Sequence, residues 1–329
     1  MANIVEVRDL NVTFKTSEGL VYAVSGINLD LAEGKTLALL GESGSGKSVT
    51  MKSLMRLHPP HKTNVTGQIT IAGQDVLRLD GSALADLRGK QVAMVFQEPM
   101  LAFDPVFTIG DQIAEVVMRH EGCTYQAARD RALEMMECVH IPSPRKRLDA
   151  YPHEMSGGMR QRAMIALALS CRPKVLLADE PTTALDATVQ IQVLLLLREL
   201  QKEFGMSMIF VTHDVGVAIE VADETAVMYA GRIVEQGPID TVMTNPWHPY
   251  TQGLLAATVH PDMDPDTRLV AIPGAPPQLY RQITECWPHA KEQCLEPLPP
   301  PTVAGNRMAR CVRLPELMNV DANATITRS

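Results

Sequence analysis

The sequence lacks any apolar run of about 18 residues, the length at which a membrane-spanning helix is expected. Its longest apolar stretch, residues 191–200, is broken by Gln192, Arg198 and Glu199. We therefore predict no transmembrane span. The N-terminus also lacks the basic and then apolar segments of a signal peptide, which predicts a protein that stays in the cytosol.

Basic residues are fewer than acidic residues in this sequence. Lys and Arg number 30 against 38 Asp and Glu, which gives a formal net charge of -8. A protein that binds nucleic acid without sequence preference is normally basic, so this balance argues against such a role. Six cysteines in a chain predicted to be cytosolic are more typical of reduced thiols or metal ligands than of disulfides.

What the sequence does contain is a phosphate-binding loop pattern, G-x-x-x-x-G-K-[ST], at residues 41–48. An apolar run at residues 36–40 predicts a buried strand before it, and residues 49–55 predict a helix after it. In that context the glycines let the backbone wrap a phosphate chain, and N–H groups of the loop and helix face the anion. Lys47 is expected to reach the β- and γ-phosphates, and the Ser48 hydroxyl to ligate Mg²⁺.

A second apolar strand, predicted at residues 174–178, ends in two adjacent carboxylates, Asp179 and Glu180. In a protein with a phosphate loop, the first carboxylate is suited to hold Mg²⁺ and the second to polarise the attacking water. His213 follows another apolar strand and is suited to sense a γ-phosphate, although a lone histidine elsewhere is more often structural.

Strands alternate with helices along the chain, which predicts an α/β fold with a mainly parallel sheet covered on both faces. Ligands of such sheets bind at the carboxyl ends of the strands. Four polar residues follow apolar runs and are expected at that edge beside Lys47: Gln97, Asp179, Glu180 and His213. Residues 4–14 and 20–32 predict antiparallel strands of a small second sheet, and residues 99–165 predict a helical insert.

Two features have two interpretations each. Phe14 ends the first predicted strand, and it is either a platform for a purine ring or a core residue, the latter being the commoner case. Ser156, Gly157 and Gly158 precede a predicted helix, and they form either an anion-binding helix N-terminus or a plain helix cap.

With these motifs in order, the chain resembles the nucleotide-binding subunits of ABC transporters, and among them the ATPase subunits of dipeptide and oligopeptide importers. The resemblance runs over about residues 4–258. It implies a P-loop NTPase ABC cassette: a RecA-like, mainly parallel sheet core, a small antiparallel β-subdomain, a helical subdomain at about residues 99–165, and a mostly irregular C-terminal extension. The implied domains are a nucleotide-binding domain at residues 1–250 and the extension at residues 251–329.

The resemblance also implies roles for individual residues, with ATP and Mg²⁺ as the ligands. The residues implied to bind the nucleotide are Phe14, Gly41, Ser43, Gly44, Ser45, Gly46, Lys47, Ser48, Val49, Gln97, Ser156, Gly157, Gly158 and Asp179. Those implied to ligate Mg²⁺ are Ser48, Gln97 and Asp179. Glu180 is implied to be the general base, with Lys47 and His213 as the other catalytic residues.

The implied function is to power the import of peptides, or of a related small solute such as an opine, glutathione or a nickel chelate. Two ATPase chains would sandwich ATP between the phosphate loop of one and the Ser156–Gly158 signature of the other. The other implied partners are two transmembrane permease subunits and a solute-binding protein, with no nucleic acid. The second ATPase is either a paralogue or a second copy, and the complex is expected at the cytoplasmic face of the bacterial inner membrane.

The C-terminal region resembles the extension of the peptide importers, beginning at the segment NPWHPYTQ of residues 245–252. Eight prolines between residues 273 and 301 predict a mostly irregular chain. Relatives often hold an iron–sulfur cluster here with four cysteines, whereas this chain has three, Cys286, Cys294 and Cys311. The alternatives are a cluster with an unusual fourth ligand or three thiols that bind nothing.

Two other functions remain as hypotheses. One is a soluble ABC ATPase in DNA repair or translation; such proteins usually carry long coiled-coil inserts, zinc modules or two fused cassettes. This sequence has one cassette, no heptad repeats and an acidic balance. The other makes the cysteine-bearing tail a redox or iron sensor that gates transport.

Overall fold

A computed structural model of the protein describes residues 2–182, 185–258, 279–280, 299, 301–311, 314 and 327–328. The strands are β1 Asn3–Thr16, β2 Gly19–Ala32, β3 Thr36–Leu40, β4 Thr63–Ile71, β5 Gln74–Asp75, β6 Val92–Val95, β7 Val175–Asp179, β8 Ser207–Thr212, β9 Glu224–Tyr229, β10 Arg232–Pro238, β11 Thr302–Ala304, β12 Arg307–Ala309 and β13 Thr327–Arg328. The helices are α1 Lys47–Leu54, α2 Gly81–Lys90, α3 Pro99–Ala102, α4 Ile109–Glu121, α5 Tyr125–Cys138, α6 Pro144–Arg147, α7 Gly157–Leu169, α8 Ala187–Phe204, α9 Val215–Val221, α10 Ile239–Thr244 and α11 Pro249–Ala256.

The chain folds into two compact units. The first consists mainly of Thr70–Val211, with Asp30–Thr36 and the N-terminal residues up to Glu6. The second consists of Val7–Leu29, Leu37–Ile69 and the chain from Thr212 onward. None of the described helices combines the length and the apolar character needed to cross a bilayer.

The first unit is built on the parallel strands β6, β7 and β8. Ala93 of β6 lies opposite Leu176, and Leu177 of β7 lies opposite Ile209. Every residue of these three strands is buried, as expected for a parallel sheet whose two faces are both covered. This confirms the predicted α/β fold and explains why the strands read as continuous apolar runs.

Helices α3 to α7 occupy the stretch for which the sequence predicts a helical insert. The neighbouring helices α4 and α5 each begin after a threonine whose hydroxyl accepts a hydrogen bond from a main-chain N–H of the first turn: Thr108 from Asp111 and Thr124 from Ala127. Such caps satisfy N–H groups that the helix itself leaves unpaired. Helix α4 ends at Gly122, which has a φ of 65°, a conformation that glycine adopts without strain.

Arg129 of α5 ties α4, α5 and the segment after α6 together. Its guanidinium lies 2.9 Å from Asp111 Oδ1 and 2.6 Å from Asp149 Oδ1. The Tyr125 hydroxyl donates to the same Asp111 oxygen at 2.5 Å, and the Thr108 hydroxyl donates to its other oxygen at 2.7 Å. The Asp111 carboxylate therefore accepts hydrogen bonds from three side chains.

We expect Asp111→Asn to lower the melting temperature at pH 7. Hydrogen bonds from Tyr125, Thr108 and Arg129 hold the pKa of Asp111 below its usual value of 3.8. A carboxyl group whose pKa is lowered by folding stabilises the folded state above its unfolded-state pKa, and this contribution is lost as the pH falls through the folded-state pKa. The difference in melting temperature between wild type and variant should therefore be full at pH 7 and shrink below about pH 4.

Thermal unfolding followed by circular dichroism between pH 7 and pH 3 measures this difference. Asp130→Asn is the matched control, because exposed Asp130 accepts one hydrogen bond, from Gln126 Nε2 at 3.1 Å. A melting-temperature difference for the Asp111 variant that is the same at every pH would contradict the assignment.

The second unit contains a parallel pair extended by antiparallel strands. Strand β3 pairs in parallel with β9, with Leu39 opposite Ala226, and β9 continues through a tight turn into antiparallel β10. Strand β12 then pairs with β10, placing Ala309 opposite Glu235. A separate sheet has β2, β1 and β4 as neighbours in that order. Strands β1 and β2 confirm the strands predicted at residues 4–14 and 20–32.

Candidate active site

The phosphate loop joins β3 to α1 in the second unit. All five residues of β3 are buried, and α1 begins at Lys47 directly after Gly46, which has a φ of 105°. A Cβ at Gly46 would lie 2.6 Å from the main-chain oxygen of Ala23, and one at Gly41 would lie 2.2 Å from that of Met228. Glycine is therefore required at both positions by the neighbouring backbone as well as by the turn.

The Lys47 side chain folds back onto the loop that precedes it. Its side chain is only 5% exposed, and Nζ donates hydrogen bonds to the main-chain oxygens of Gly41 at 2.7 Å and Glu42 at 2.9 Å. The Glu42 oxygen also accepts from the Ser45 N–H at 3.2 Å. These bonds place a positive charge inside the curve of the loop, where the sequence predicts phosphate groups.

The hydrogen bonding of the Ser45 hydroxyl indicates whether the loop fits a phosphate group. Its hydroxyl oxygen is buried and has no hydrogen-bond partner among the described residues, although buried hydroxyls are normally paired. Ser43 and Gly44 beside it are exposed, so the loop is open on that side. An anion held by the loop would supply the missing acceptor, and the residues present fit a phosphate chain.

The neighbouring predicted positions extend from this loop. Ser48 and Val49 are half-buried in the first turn of α1. Phe14, half-buried on β1, packs against the His58 ring in a T-shaped arrangement, with ring centroids 5.2 Å apart and the ring planes at 80°. His58 Nε2 lies 3.0 Å from the Val49 oxygen, and burial lowers the pKa of His58. The purine-platform role of Phe14 stays a prediction, and His58 is a neighbour that the sequence did not indicate.

The carboxylate pair belongs to the first unit. Asp179, the last residue of β7, is 4% exposed, and Glu180 follows with a φ of 46°, in the left-handed region. The Glu180 N–H donates to the Val211 oxygen at 3.1 Å. Few non-glycine residues adopt a positive φ, and such conformations are concentrated at functional sites. Glu180 is half-buried at this turn.

Gln97 lies beside Glu180, as the sequence predicts for residues that follow neighbouring parallel strands. Gln97 Nε2 lies 3.5 Å from Glu180 Oε2, at the outer limit of a hydrogen bond. Strands β6 and β7 are in register through Val95 and Ala178, so both residues emerge from the same edge. Gln97 is exposed, and it joins this edge to helix α3.

The Ser156–Gly158 signature also lies in the first unit, at the start of α7. The Ser156 hydroxyl accepts a hydrogen bond from the Met159 N–H at 3.3 Å, so the helix-cap interpretation is correct for the chain by itself. Ser156 and Gly157 are exposed, which leaves the N-terminus of a 13-residue helix facing outward. A capped and exposed helix N-terminus is still able to receive an anion from a second molecule.

His213 follows β8 and is exposed, while the next residue, Asp214, caps α9 by accepting the Val217 N–H at 3.2 Å. The short helix α9 therefore fixes the direction in which the chain leaves β8. His213 belongs to the second unit with the phosphate loop, whereas Gln97 and the carboxylate pair belong to the first.

Of the three tail cysteines, Cys286 and Cys294 lie outside the described residues. Cys311 is buried, 4% exposed, and packs with Trp247, Ala309 and Leu314. Within the described part of the chain, no group of three or more His, Cys, Asp or Glu residues is arranged to hold a metal ion. Because the hypothesis depends on Cys286 and Cys294, the iron–sulfur cluster stays a prediction of the sequence.

Comparison with known proteins places this geometry in a family. A family model described as "ABC transporter" matches residues 24–183, and one described as "Oligopeptide/dipeptide transporter, C-terminal region" matches residues 234–291. The chain is 49% identical over 280 residues to the oligopeptide transport ATP-binding protein OppD of Bacillus subtilis (strain 168), covering 85% of this chain and 78% of the relative. It is 44% identical over 315 residues to OppD of Salmonella typhimurium, covering 94% and 93%.

A solved structure is similar as well. It is a dimeric ATP-binding cassette in a post-hydrolysis state bound to ADP and Pi, 28% identical, with a TM-score of 0.64 over 71% of this chain and 98% of that one. The fold, the phosphate loop and the relatives agree, and the chain belongs to the ABC transporter family, among the ATP-binding subunits of the oligopeptide/dipeptide transporters.

Proposed function

We propose that this chain hydrolyses ATP to power the import of peptides, or of a related small solute, across a bacterial cytoplasmic membrane. The phosphate loop supports this proposal most strongly, because Lys47 lies inside it and the Ser45 hydroxyl is buried without a partner among the described residues. The oligopeptide transport ATP-binding proteins that resemble the chain over most of its length supply the class of solute.

In this proposal the loop holds the phosphates of ATP through its backbone. The residues assigned to the nucleotide are Phe14, Gly41, Ser43, Gly44, Ser45, Gly46, Lys47, Ser48 and Val49, with Gln97 and Asp179, and Ser156, Gly157 and Gly158 of a second chain. Ser48, Gln97 and Asp179 would hold Mg²⁺, which neutralises charge on the phosphates when it is bound.

Glu180 acts as the general base in this assignment, accepting a proton from the attacking water. His213 contacts the γ-phosphate, and Lys47 offsets the charge that develops on it. Gln97 lies within 3.5 Å of Glu180 and also precedes the helical segment from α3 onward. This position supports the proposed role of Gln97 in transmitting the state of the nucleotide to that segment.

The proposed assembly contains two ATPase chains, two transmembrane permease subunits and a solute-binding protein outside the membrane, with no nucleic acid. The second ATPase is a paralogue or a second copy of this chain. The chain lies at the cytoplasmic face of the inner membrane, bound to the permease subunits. We propose residues 1–250 as the nucleotide-binding domain, with its helical subdomain at about residues 99–165, and residues 251–329 as the extension.

An iron–sulfur cluster on Cys286, Cys294 and Cys311 stays a prediction of the sequence. The iron and sulfide content of anaerobically purified protein tests it, with Cys294→Ser as the comparison. Stoichiometric iron in wild type that is lost in Cys294→Ser would support a cluster. If neither wild type nor the variant contained iron, a cluster would be excluded. The alternative function, an ABC ATPase in DNA repair or translation, finds no support among the relatives reported above.

Co-purification tests the proposed function. Tagged full-length chain is isolated from detergent-solubilised membranes of its native host, and its partners and ATP hydrolysis are measured. We expect two multi-span membrane proteins and a second ATPase to co-purify with the chain. A chain that is recovered alone, or with ribosomes or DNA, would contradict the transport role and leave only the ATPase chemistry.

A further inference from the structure

Tyr250 reaches the phosphate loop from the start of helix α11. The side chain is fully buried, and its ring packs against that of Tyr229, with centroids 4.6 Å apart. Its hydroxyl oxygen accepts a hydrogen bond from the main-chain N–H of Glu42 at 3.0 Å and lies 3.5 Å from Glu42 Oε2. A residue 208 positions away in the sequence thus contacts the backbone of the second residue of the loop.

A buried ion pair fixes the backbone that carries Tyr250. Glu235 is 0% exposed and accepts the N–H groups of Trp247 at 2.8 Å and His248 at 2.9 Å. Arg307 of β12 donates to the same carboxylate at 2.9 Å, and its guanidinium lies 3.9 Å from the centre of the Trp247 ring. His248 Nδ1 in turn accepts the Tyr250 N–H at 3.1 Å. The position of the Tyr250 ring therefore depends on contacts made along both β10 and β12.

The Glu42 residue that Tyr250 contacts is central to the shape of the loop. Its N–H is bound by Tyr250, and its oxygen accepts hydrogen bonds from Lys47 Nζ at 2.9 Å and the Ser45 N–H at 3.2 Å. Lys47 and Ser45 are the two groups that the loop aims at phosphate. A rotation of the peptide units around Glu42 would disturb both, whereas holding it in place preorganises the site before the nucleotide arrives.

We propose that Tyr250 is a positioning residue for the phosphate loop. Its hydroxyl holds the Glu42 backbone, and the buried contacts among Glu235, Trp247 and Arg307 hold Tyr250. Part of the ATP affinity of this chain is thereby set by Tyr250 and Glu235, which lie within residues 234–291, the segment matched by the family model for the C-terminal region of these transporters. The inference rests on the proposed role of residues 41–48 as the ATP phosphate site.

Tyr250→Phe removes the hydroxyl and keeps the ring. Because the hydrogen bond to the Glu42 N–H is lost, we expect the ATP dissociation constant of the full-length chain to rise about 3- to 10-fold. The same rise is expected in KM for ATP, with kcat at saturating ATP unchanged within about twofold. Isothermal titration with MgATP and steady-state hydrolysis measure these values. A purely structural role would lower stability without separating KM from kcat.

Two further variants sharpen the comparison. Tyr280→Phe is the matched control, because the exposed Tyr280 hydroxyl donates to Glu18, between β1 and β2, at 2.7 Å. Its ATP affinity should equal that of wild type. Glu42→Ala removes the carboxylate and keeps the N–H that Tyr250 binds. The loss caused by Tyr250→Phe should therefore persist in the Glu42→Ala background.

Equal ATP affinity of wild type and Tyr250→Phe would overturn the inference, as would an equal loss in Tyr280→Phe. A wild-type chain that fails to bind ATP would instead overturn the proposed function. Hydrogen exchange of the Glu42 amide in nucleotide-free wild type gives a test that needs no folded variant. Protection of this amide supports the proposal, and exchange at the rate of an open loop contradicts it.

Discussion

Replacing Glu180 by glutamine is expected to lower the rate of ATP hydrolysis by at least about 100-fold, since general base catalysis contributes a factor of this size or more. The amide matches the carboxylate in shape but cannot accept the proton of the attacking water. The bond from the Glu180 N–H to the Val211 oxygen involves the main chain only, so the turn after β7 should persist. Binding of ATP should therefore persist while turnover is lost.

Single-turnover hydrolysis and nucleotide retention measure the two effects separately. Glu203→Gln is the control, because Glu203 is an exposed carboxylate near the end of α8, and its hydrolysis rate should equal that of wild type. If Glu180→Gln kept more than about a tenth of the wild-type rate, another group would have to be the base.

Replacing Arg307 by methionine is expected to lower the free energy of unfolding by about 3–5 kcal/mol. Methionine keeps much of the apolar stem of the side chain and removes its charge. Glu235, at 0% exposure, would then keep two main-chain hydrogen bonds but lose its counter-charge. A buried carboxylate without a cation is far more costly than the loss of one hydrogen bond.

Urea-induced unfolding of the full-length chain measures this cost. Arg78→Met is the matched control, because Arg78 pairs with Asp75 at 3.2 Å while 88% exposed, and exposed pairs contribute less than about 1 kcal/mol. Adding Glu235→Gln to Arg307→Met should recover part of the lost stability, since it removes the unpaired charge. An Arg307 variant no less stable than the Arg78 variant would contradict the role of this ion pair.

The strands that flank the phosphate loop and the carboxylate pair were predictable because they are short, continuous apolar runs. Thr36–Leu40 and Val175–Asp179 are buried along their whole length, so an apolar run in the sequence corresponds directly to a buried strand in the fold. Gln97 and Glu180 meet because parallel strands end at one edge. No side-chain detail was needed for that inference.

Other elements were missed for identifiable reasons. Helix α2 begins at an Asp80 cap and buries only Leu84 and Leu87, so the sequence there shows little apolar periodicity. The contact of Tyr250 with Glu42 spans 208 positions, and no local pattern encodes a contact at that separation. The sequence indicated only that residues 245–252 resemble the start of the family extension.

We propose that ATP hydrolysis with Glu180 as the general base drives the import of a peptide. Uptake of a radiolabelled peptide by cells of the native host tests it most directly, after the gene for this chain is deleted and replaced by wild type or by Glu180→Gln. The proposal predicts that wild type restores uptake and that the variant does not, at equal protein levels. Uptake restored to the same rate by Glu180→Gln would contradict it.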